Sequence, residues 1–188
     1  MRPLIDAEPH RFSTADVFAM LEAGILTPDE KLELIDGELI RVSPKHVRHE
    51  YVKAKLTRFL VEKTNERMGI GVETTLFLED RTFLEPDISI YPLESVRKNL
   101  TCADVLLAIE ISDSRLRYDL EVKPPLYAAH GLASLWVADV RNPALHVFAE
   151  PGPDGYQRYE TLSADAALAV PGCPGAVMTL ANFLPEID

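Results

Sequence analysis

A chain of 188 residues has room for one domain with a real core and would be cramped as two. Its 47% hydrophobic content excludes intrinsic disorder, and its two distant cysteines, Cys102 and Cys173, exclude a zinc ribbon or a disulfide framework. A formal net charge of -11 argues against a simple nucleic-acid binder, whose affinity rests on attraction to phosphate.

The opening Met1-Arg2-Pro3-Leu4-Ile5-Asp6-Ala7-Glu8 lacks the apolar core of a signal peptide. No run approaches the roughly 20 apolar residues of a membrane span, so the expectation is a cytoplasmic protein without a membrane partner. Ser13-Thr14-Ala15-Asp16 predicts a helix start with an acid at the third helical position. Val17, Met20 and Leu21 then recur at helical spacing up to Gly24. Lys31 to Ile35 alternates, Asp36-Gly37 suits a type I′ turn, and Glu38 to Val42 resumes as a strand, which together predict a hairpin closed by Ser43-Pro44. Between Arg41 and Arg58 lie six basic residues (Arg41, Lys45, Arg48, Lys53, Lys55, Arg58) with His46 and His49, against the single acid Glu50. This is a basic segment on an otherwise acidic body.

From Val47, the stripe of Tyr51, Val52, Leu56, Phe59 and Leu60 predicts an amphipathic helix to about Arg67, ended by Gly69-Ile70-Gly71. Val72 to Leu78 is β-rich, and after the Glu79-Asp80-Arg81 turn a strand spans about Asp87 to Tyr91. Val105 to Ile111 is an almost unbroken aliphatic run, the pattern of a central strand covered on both faces. Val122, Leu126, Tyr127 and Ala129 predict a helix that starts near Lys123, with Pro124 close to its first position. Leu135 to Val140 and Leu145 to Phe148 read as strands around an Arg141-Asn142-Pro143 turn. A further strand follows the turn at Pro151 to Gly155, and a short apolar element lies at Leu180 to Leu184. The expected fold is α/β or α+β, a central mixed sheet of about six to eight strands flanked by helices and carrying an N-terminal hairpin.

The chain holds no GxGxxG, Walker loop, GxSxG or HExxH. His46 and His49 form HxxH without Cys or acid partners, weak ground for zinc, and a solvated loop is the plainer reading. Asp87, taken alone, reads as a turn acid beside Pro86. Glu110 is different: inside Leu106 to Ile111 it would be desolvated, so its pKa would rise unless a cation compensates. Two oxygen ligands on neighbouring strands suit a hard cation such as Mg²⁺, and Lys123 stands where it could stabilise developing negative charge.

Asp87 with its preceding proline, Glu110, and the run Asp119-x-x-x-Lys123-x-x-x-Tyr127-x-x-x-Gly131 leading to Leu135-Trp136-Val137-Ala138-Asp139 resemble the Uma-two family. That family is a large set of restriction-endonuclease-like proteins of unassigned function. The Glu33 to Leu39 hairpin and His49 resemble it too, and the likeness runs from about Ser13 to Phe183. The resemblance implies one PD-(D/E)xK nuclease domain over residues 1–188. It implies Asp87 and Glu110 as ligands of Mg²⁺ (or Mn²⁺), with the Ile111 carbonyl as a further ligand and Lys123 as the catalytic lysine. Ser112 occupies the position where such nucleases usually carry that lysine, so Lys123 would replace it from the following helix. His49, Glu33 and Glu38 are further candidates, Asp119 is expected to pair with Lys123 or Arg117, and Tyr127 and Trp136 read as core aromatics.

Two functions compete on this reading. One is a metal-dependent DNA endonuclease using the Arg41 to Arg58 segment for DNA, a homodimer by default because such assemblies are the commonest. The other is a non-catalytic nuclease-fold module for protein or nucleic acid, motivated by the acidic charge, Ser112 and the prolines beside Lys123. A third, weaker reading is an enzyme for a small phosphorylated molecule, which needs no basic segment.

Overall fold

The structure is a computed structural model that describes residues 8–186 apart from 28, 43–45 and 98. The expected signal-peptide-free start, the Ser43-Pro44 closure and Lys45 of the basic segment lie largely or wholly outside the described residues. Helix α1 (Thr14–Glu22) opens as its sequence predicts. The Ser13 hydroxyl accepts from the Asp16 amide at 3.1 Å while Asp16 Oδ2 accepts from the Ser13 amide at 2.8 Å, a reciprocal capping box. Strands β1 (Leu32–Ile35) and β2 (Glu38–Arg41) form the hairpin, with Asp36 and Gly37 both at positive φ (47° and 76°), as a type I′ turn requires.

Helix α2 (Val47–Lys63) stops earlier than the periodicity suggests. At Thr64 the backbone turns extended, and its hydroxyl donates to the Leu60 carbonyl at 2.9 Å, satisfying one of the helix-end acceptors. Val52, Leu56 and Leu60, four residues apart, are fully buried, whereas Tyr51, expected on that stripe, is exposed. The Gly69-Ile70-Gly71 segment, expected to end the helix, lies inside β3 (Met68–Val72). The reason is close packing: a Cβ on Gly69 would meet the Tyr91 ring at 2.6 Å, and one on Gly71 would meet the Ser89 and Thr74 hydroxyls at 2.6 Å.

Next come β4 (Leu76–Glu79), the short β5 (Thr82–Leu84), β6 (Ile88–Pro92) and β7 (Leu107–Ser112). A π-helical turn (Tyr118–Val122) leads into α3 (Lys123–Ala129), and β8 (Ser134–Asp139), β9 (Ala144–Gly152) and β10 (Gly155–Ser163) follow. A small ribbon, β11 (Ala167–Ala169) with β12 (Val177–Thr179), and a 3₁₀ turn at Leu180–Phe183 end the described chain. Pro124 and Pro125 stand at the first positions of α3, directly after the π-helical turn.

Six strands form the central sheet in the order β10-β9-β8-β7-β6-β3, antiparallel except for the parallel pair β7 and β8. A second sheet of order β2-β1-β5-β4 carries the N-terminal hairpin. Alternation along the buried strands divides the core. Leu107, Ile109 and Ile111 of β7 join Ile88, Ile90, Trp136 and Ala138 beneath Val52, Leu56 and Leu60 of α2. Ala108 turns the other way, with Leu135 and Val137, toward Tyr127 of α3 and Leu76 and Leu84 of the second sheet. Glu110, two residues on from Ala108, shares that second face.

Candidate active site

Strand register brings the two suspected acids together. β6 and β7 pair Ile88 with Ile109 and Ser89 with Ala108, and one further step of the same register sets Asp87 opposite Glu110. Asp87 lies just before β6, so the ladder ends there and its carboxylate takes over. Asp87 Oδ2 accepts from the Ile111 amide at 2.8 Å and bonds His49 Nε2 at 3.0 Å. The amide and carbonyl of one residue in an extended strand face the same side, so the Ile111 carbonyl also faces Asp87. His49, three residues into α2, is buried; its Nδ1 lies 3.2 Å from Glu50 Oε1. It is not a solvated helix cap: the cap position of α2 is His46, and the His49 ring meets Asp87 inside.

Lys123 is the second centre. Its ammonium lies 2.9 Å from Glu110 Oε1 and 2.9 Å from Glu33 Oε1, and all three residues are less than 5% exposed. Lys123 thus reaches Glu110 despite its two prolines, because α3 packs on the face of β7 that carries Glu110. Tyr127, one helical turn beyond Lys123, donates to Glu110 Oε1 at 2.8 Å, and Tyr118 donates to Glu33 Oε2 at 2.7 Å. Glu110 Oε2 carries no hydrogen bond among the described residues. Burial, reinforced by Asp87, Asp119 and Glu33, pushes the Glu110 carboxyl above the ordinary glutamate range against the pull of Lys123. Burial alone would lower Lys123, yet Glu110, Glu33 and Asp119 outweigh it and hold the ammonium protonated. Burial raises both tyrosine hydroxyls, which therefore remain donors.

Asp119 enters the site on the π-helical turn, but without the expected ion pair. Arg117 pairs outward with Glu121 at 2.7 Å, and Asp119 makes no salt bridge among the described residues. Burial raises its carboxyl. The Lys123 ammonium pulls the other way, and so, less, does the Ser112 hydroxyl, which completes no well-formed hydrogen bond. Glu38 is not at the site: it pairs with Arg11 at 2.8 Å on the outside of the hairpin.

Glu33, His49, Asp87, Glu110, Tyr118, Asp119 and Lys123 line a small cleft, partly open to solvent and rich in carboxylates, among them also Glu73, Glu85 and Asp113. Hard oxygen donors from two carboxylates and one carbonyl fit a magnesium-type ion, which keeps waters and needs few protein ligands. The basic segment is less positive than its composition suggests. Arg41 pairs with Glu30 at 2.9 Å, Arg58 with Glu62 at 2.8 Å, and Lys53 with Glu50 and Glu73 at 2.8 and 2.7 Å. Three of those acids, Glu30, Glu62 and Glu73, lie outside the segment itself. Nearer the mouth, the Arg115 guanidinium stacks 4.2 Å over the Tyr118 ring, and Arg48 lies by a shallow groove with Arg141 and Asp113. Tyr127 had a legible signal, lying one helical turn from Lys123; Tyr118 had none, because its partner Glu33 is 85 residues away.

No helix among the described residues is long and apolar enough to cross a membrane. No curated protein matches the sequence. A crystal structure of a protein from Anabaena variabilis ATCC 29413, described as "a putative nuclease belonging to DUF820", superimposes with a TM-score of 0.74 at 15% identity. The likeness covers 92% of this chain and 97% of that one, and at such identity it shows the fold alone: a nuclease fold with a central mixed sheet. The family model Uma2, "Putative restriction endonuclease", matches residues 15–181, and the chain belongs to that family.

Proposed function

We propose that the protein is a divalent-metal-dependent endonuclease that hydrolyses phosphodiester bonds in DNA. The observation that carries this reading is the convergence of Asp87 and Glu110 at the floor of an open cleft, with the Lys123 ammonium 2.9 Å from Glu110. Asp87, Glu110 Oε2 and the Ile111 carbonyl would hold Mg²⁺ or Mn²⁺. When bound, the ion would supply Lewis-acid polarisation of the phosphate and activation of a water.

The chain's own residues prepare the rest. His49 and the Ile111 amide fix the Asp87 carboxylate. Tyr127 and Lys123 both occupy Oε1 of Glu110, so Oε2 is the oxygen that would be available to a cation. Lys123, held protonated, provides positive charge beside the leaving or attacking oxygen. Glu33 positions that ammonium from the opposite side, and Tyr118 fixes Glu33. Among the described residues, Arg115 at the cleft and Arg48 in the adjoining groove are the cations we assign to the DNA backbone, since Arg41, Lys53 and Arg58 are already paired with acids.

The test is Mg²⁺- or Mn²⁺-dependent cleavage of duplex, single-stranded and branched DNA, run beside calorimetric titration of the metal alone. Asp87→Ala and Glu110→Ala are expected to abolish cleavage and the calorimetric signal together. His49→Ala, which frees the Asp87 carboxylate, is expected to weaken both by roughly 10- to 100-fold. No cleavage of any of the three substrates sinks the proposal. A second reading, a non-catalytic module of nuclease fold, draws on the lysine clamped between two carboxylates and on the acidic cleft; it predicts a folded protein with no metal titration at all.

A further inference from the structure

The edge strand β10 runs nine residues at one end of the central sheet and pairs on one side only, with β9. Its residues 157–161 (Gln157, Arg158, Tyr159, Glu160, Thr161) are five consecutive exposed positions. Successive strand residues alternate faces, so this run is uncovered on both faces of the sheet. Among the described residues, no backbone group of that run bonds anything other than β9. Natural edge strands are usually kept from pairing by proline, by inward lysine, by shortness or by unmatched charge. None of these guards this stretch: it holds no proline and no lysine, and its two charges are of opposite sign on one face.

We infer that two copies of the chain pair antiparallel along β10, with the twofold axis at Tyr159. A twofold axis normal to a sheet places each residue opposite the one equally far on the other side of the dyad, so only registers centred on a residue preserve the faces. Centring on Arg158 opposes two guanidinium groups, and centring on Glu160 opposes two carboxylates. Centring on Tyr159 sets Arg158 against the partner's Glu160 twice over, Gln157 against the partner's Thr161, and Tyr159 against itself. The exposed run is itself centred on Tyr159, so the register that pairs the charges is also the one that pairs all five residues. Within one chain, Arg158 holds Glu150 and Glu160 only loosely, at 3.8 Å each, which leaves the guanidinium open to a partner carboxylate. The tyrosine at the axis is already ordered: its ring stacks on Phe148 at 4.6 Å between centroids and its hydroxyl bonds His146 Nδ1 at 2.8 Å. β10 is three strands away from β7, so this pairing stands apart from the chemistry of the cleft.

Sedimentation equilibrium of the intact chain is expected to give the mass of two 21.0 kDa chains. A monomer throughout the accessible concentration range overturns the inference. Arg158→Glu and Glu160→Arg alone each oppose like charges at two symmetric positions and are expected to raise the dissociation constant by roughly tenfold or more. The double variant R158E/E160R restores both pairs and is expected to dimerise like the native chain. A dimer that ignores the single variants, or a double variant no better than them, places the interface elsewhere and overturns the inference. Directly opposed cross-strand residues lie within disulfide range, so Tyr159→Cys should cross-link to itself under oxidation while Thr161→Cys should not. Cys102 and Cys173 are buried and stay silent in that experiment. Melting temperatures of each variant, read alongside, separate a lost interface from a lost fold.

Discussion

The two faces of β7 are built on opposite plans. Leu107, Ile109 and Ile111 enter the apolar core beneath α2, where another apolar side chain of similar volume would serve. Glu110 and Ser112, on the alternate positions, enter a pocket with three further buried ionisable groups, Glu33, Asp119 and Lys123, and a buried hydroxyl from Tyr127. An apolar face gains stability from area removed from water, about 25 cal/mol per Å². A buried ionic cluster roughly breaks even, but removing one member strands the others. The lesson is that one strand can spend alternate residues on stability and on chemistry without the two interfering.

That contrast is easiest to break at Lys123. Lys123→Ala leaves Glu33 and Glu110 facing each other in a dry site, with an expected loss of about 3–5 kcal/mol. For a chain of this length that corresponds to a fall in melting temperature of roughly 10 °C. A shift within experimental error would mean the cluster is far wetter than its burial indicates. The neighbouring pair Ile109 and Glu110 sharpens the comparison further. Ile109→Val should cost about 1 kcal/mol through the methylene it removes while cleavage continues. Glu110→Gln should abolish cleavage yet change the melting temperature less than Lys123→Ala does, since an amide leaves no uncompensated charge. If Ile109→Val proved the more damaging to cleavage, the division of labour between the faces would be wrong.

The smallest effect lies outside the sheet, at the start of α1. Hydrogen bonds from the Ser13 side chain and backbone hold the Asp16 carboxyl below its ordinary 3.8. A lowered folded pKa gives stability that is complete above the unfolded value and is lost as pH falls through the folded one. Thermal melts of Ser13→Ala are therefore expected to differ most from the native protein at neutral pH, the gap narrowing in acid to the part due to the lost cap bond from the Asp16 amide.

Much of this arrangement is legible in the residues, and the parts that are not share a cause. Periodicity and punctuation place α1, the Asp36-Gly37 hairpin, the central strand and the start of α3, because each depends on neighbours within a few residues. An acid inside Leu106 to Ile111 announces its own oddity, and the family resemblance points to Asp87 and Lys123. The glycines at 69 and 71 misdirect a local reading, since their reason is the Tyr91 ring and the Ser89 hydroxyl across the sheet. His49 depends on a contact 38 residues away and Glu33 on one 90 residues away, distances at which no local pattern helps. The net charge of the basic segment is hidden in a similar way: three of its neutralising acids, Glu30, Glu62 and Glu73, come from outside the window in which its charge is counted.

The π-helical turn before α3 has a consequence for how this site can change. It is closed by the Lys123 amide donating to the Tyr118 carbonyl, five residues back instead of four. Such a turn is an α-helical turn with one residue added. Deletion of a single residue within it would let the same Lys123 amide reach the same Tyr118 carbonyl as an ordinary α-helical bond. Lys123 and Tyr127 would then keep their approach to Glu110, and the rearrangement would fall on the residues inside the turn, Asp119 among them. Deletion between Lys123 and Tyr127 has no such slack: it would rotate Tyr127 by about 100° about the helix axis, away from the Glu110 oxygen it shares with Lys123.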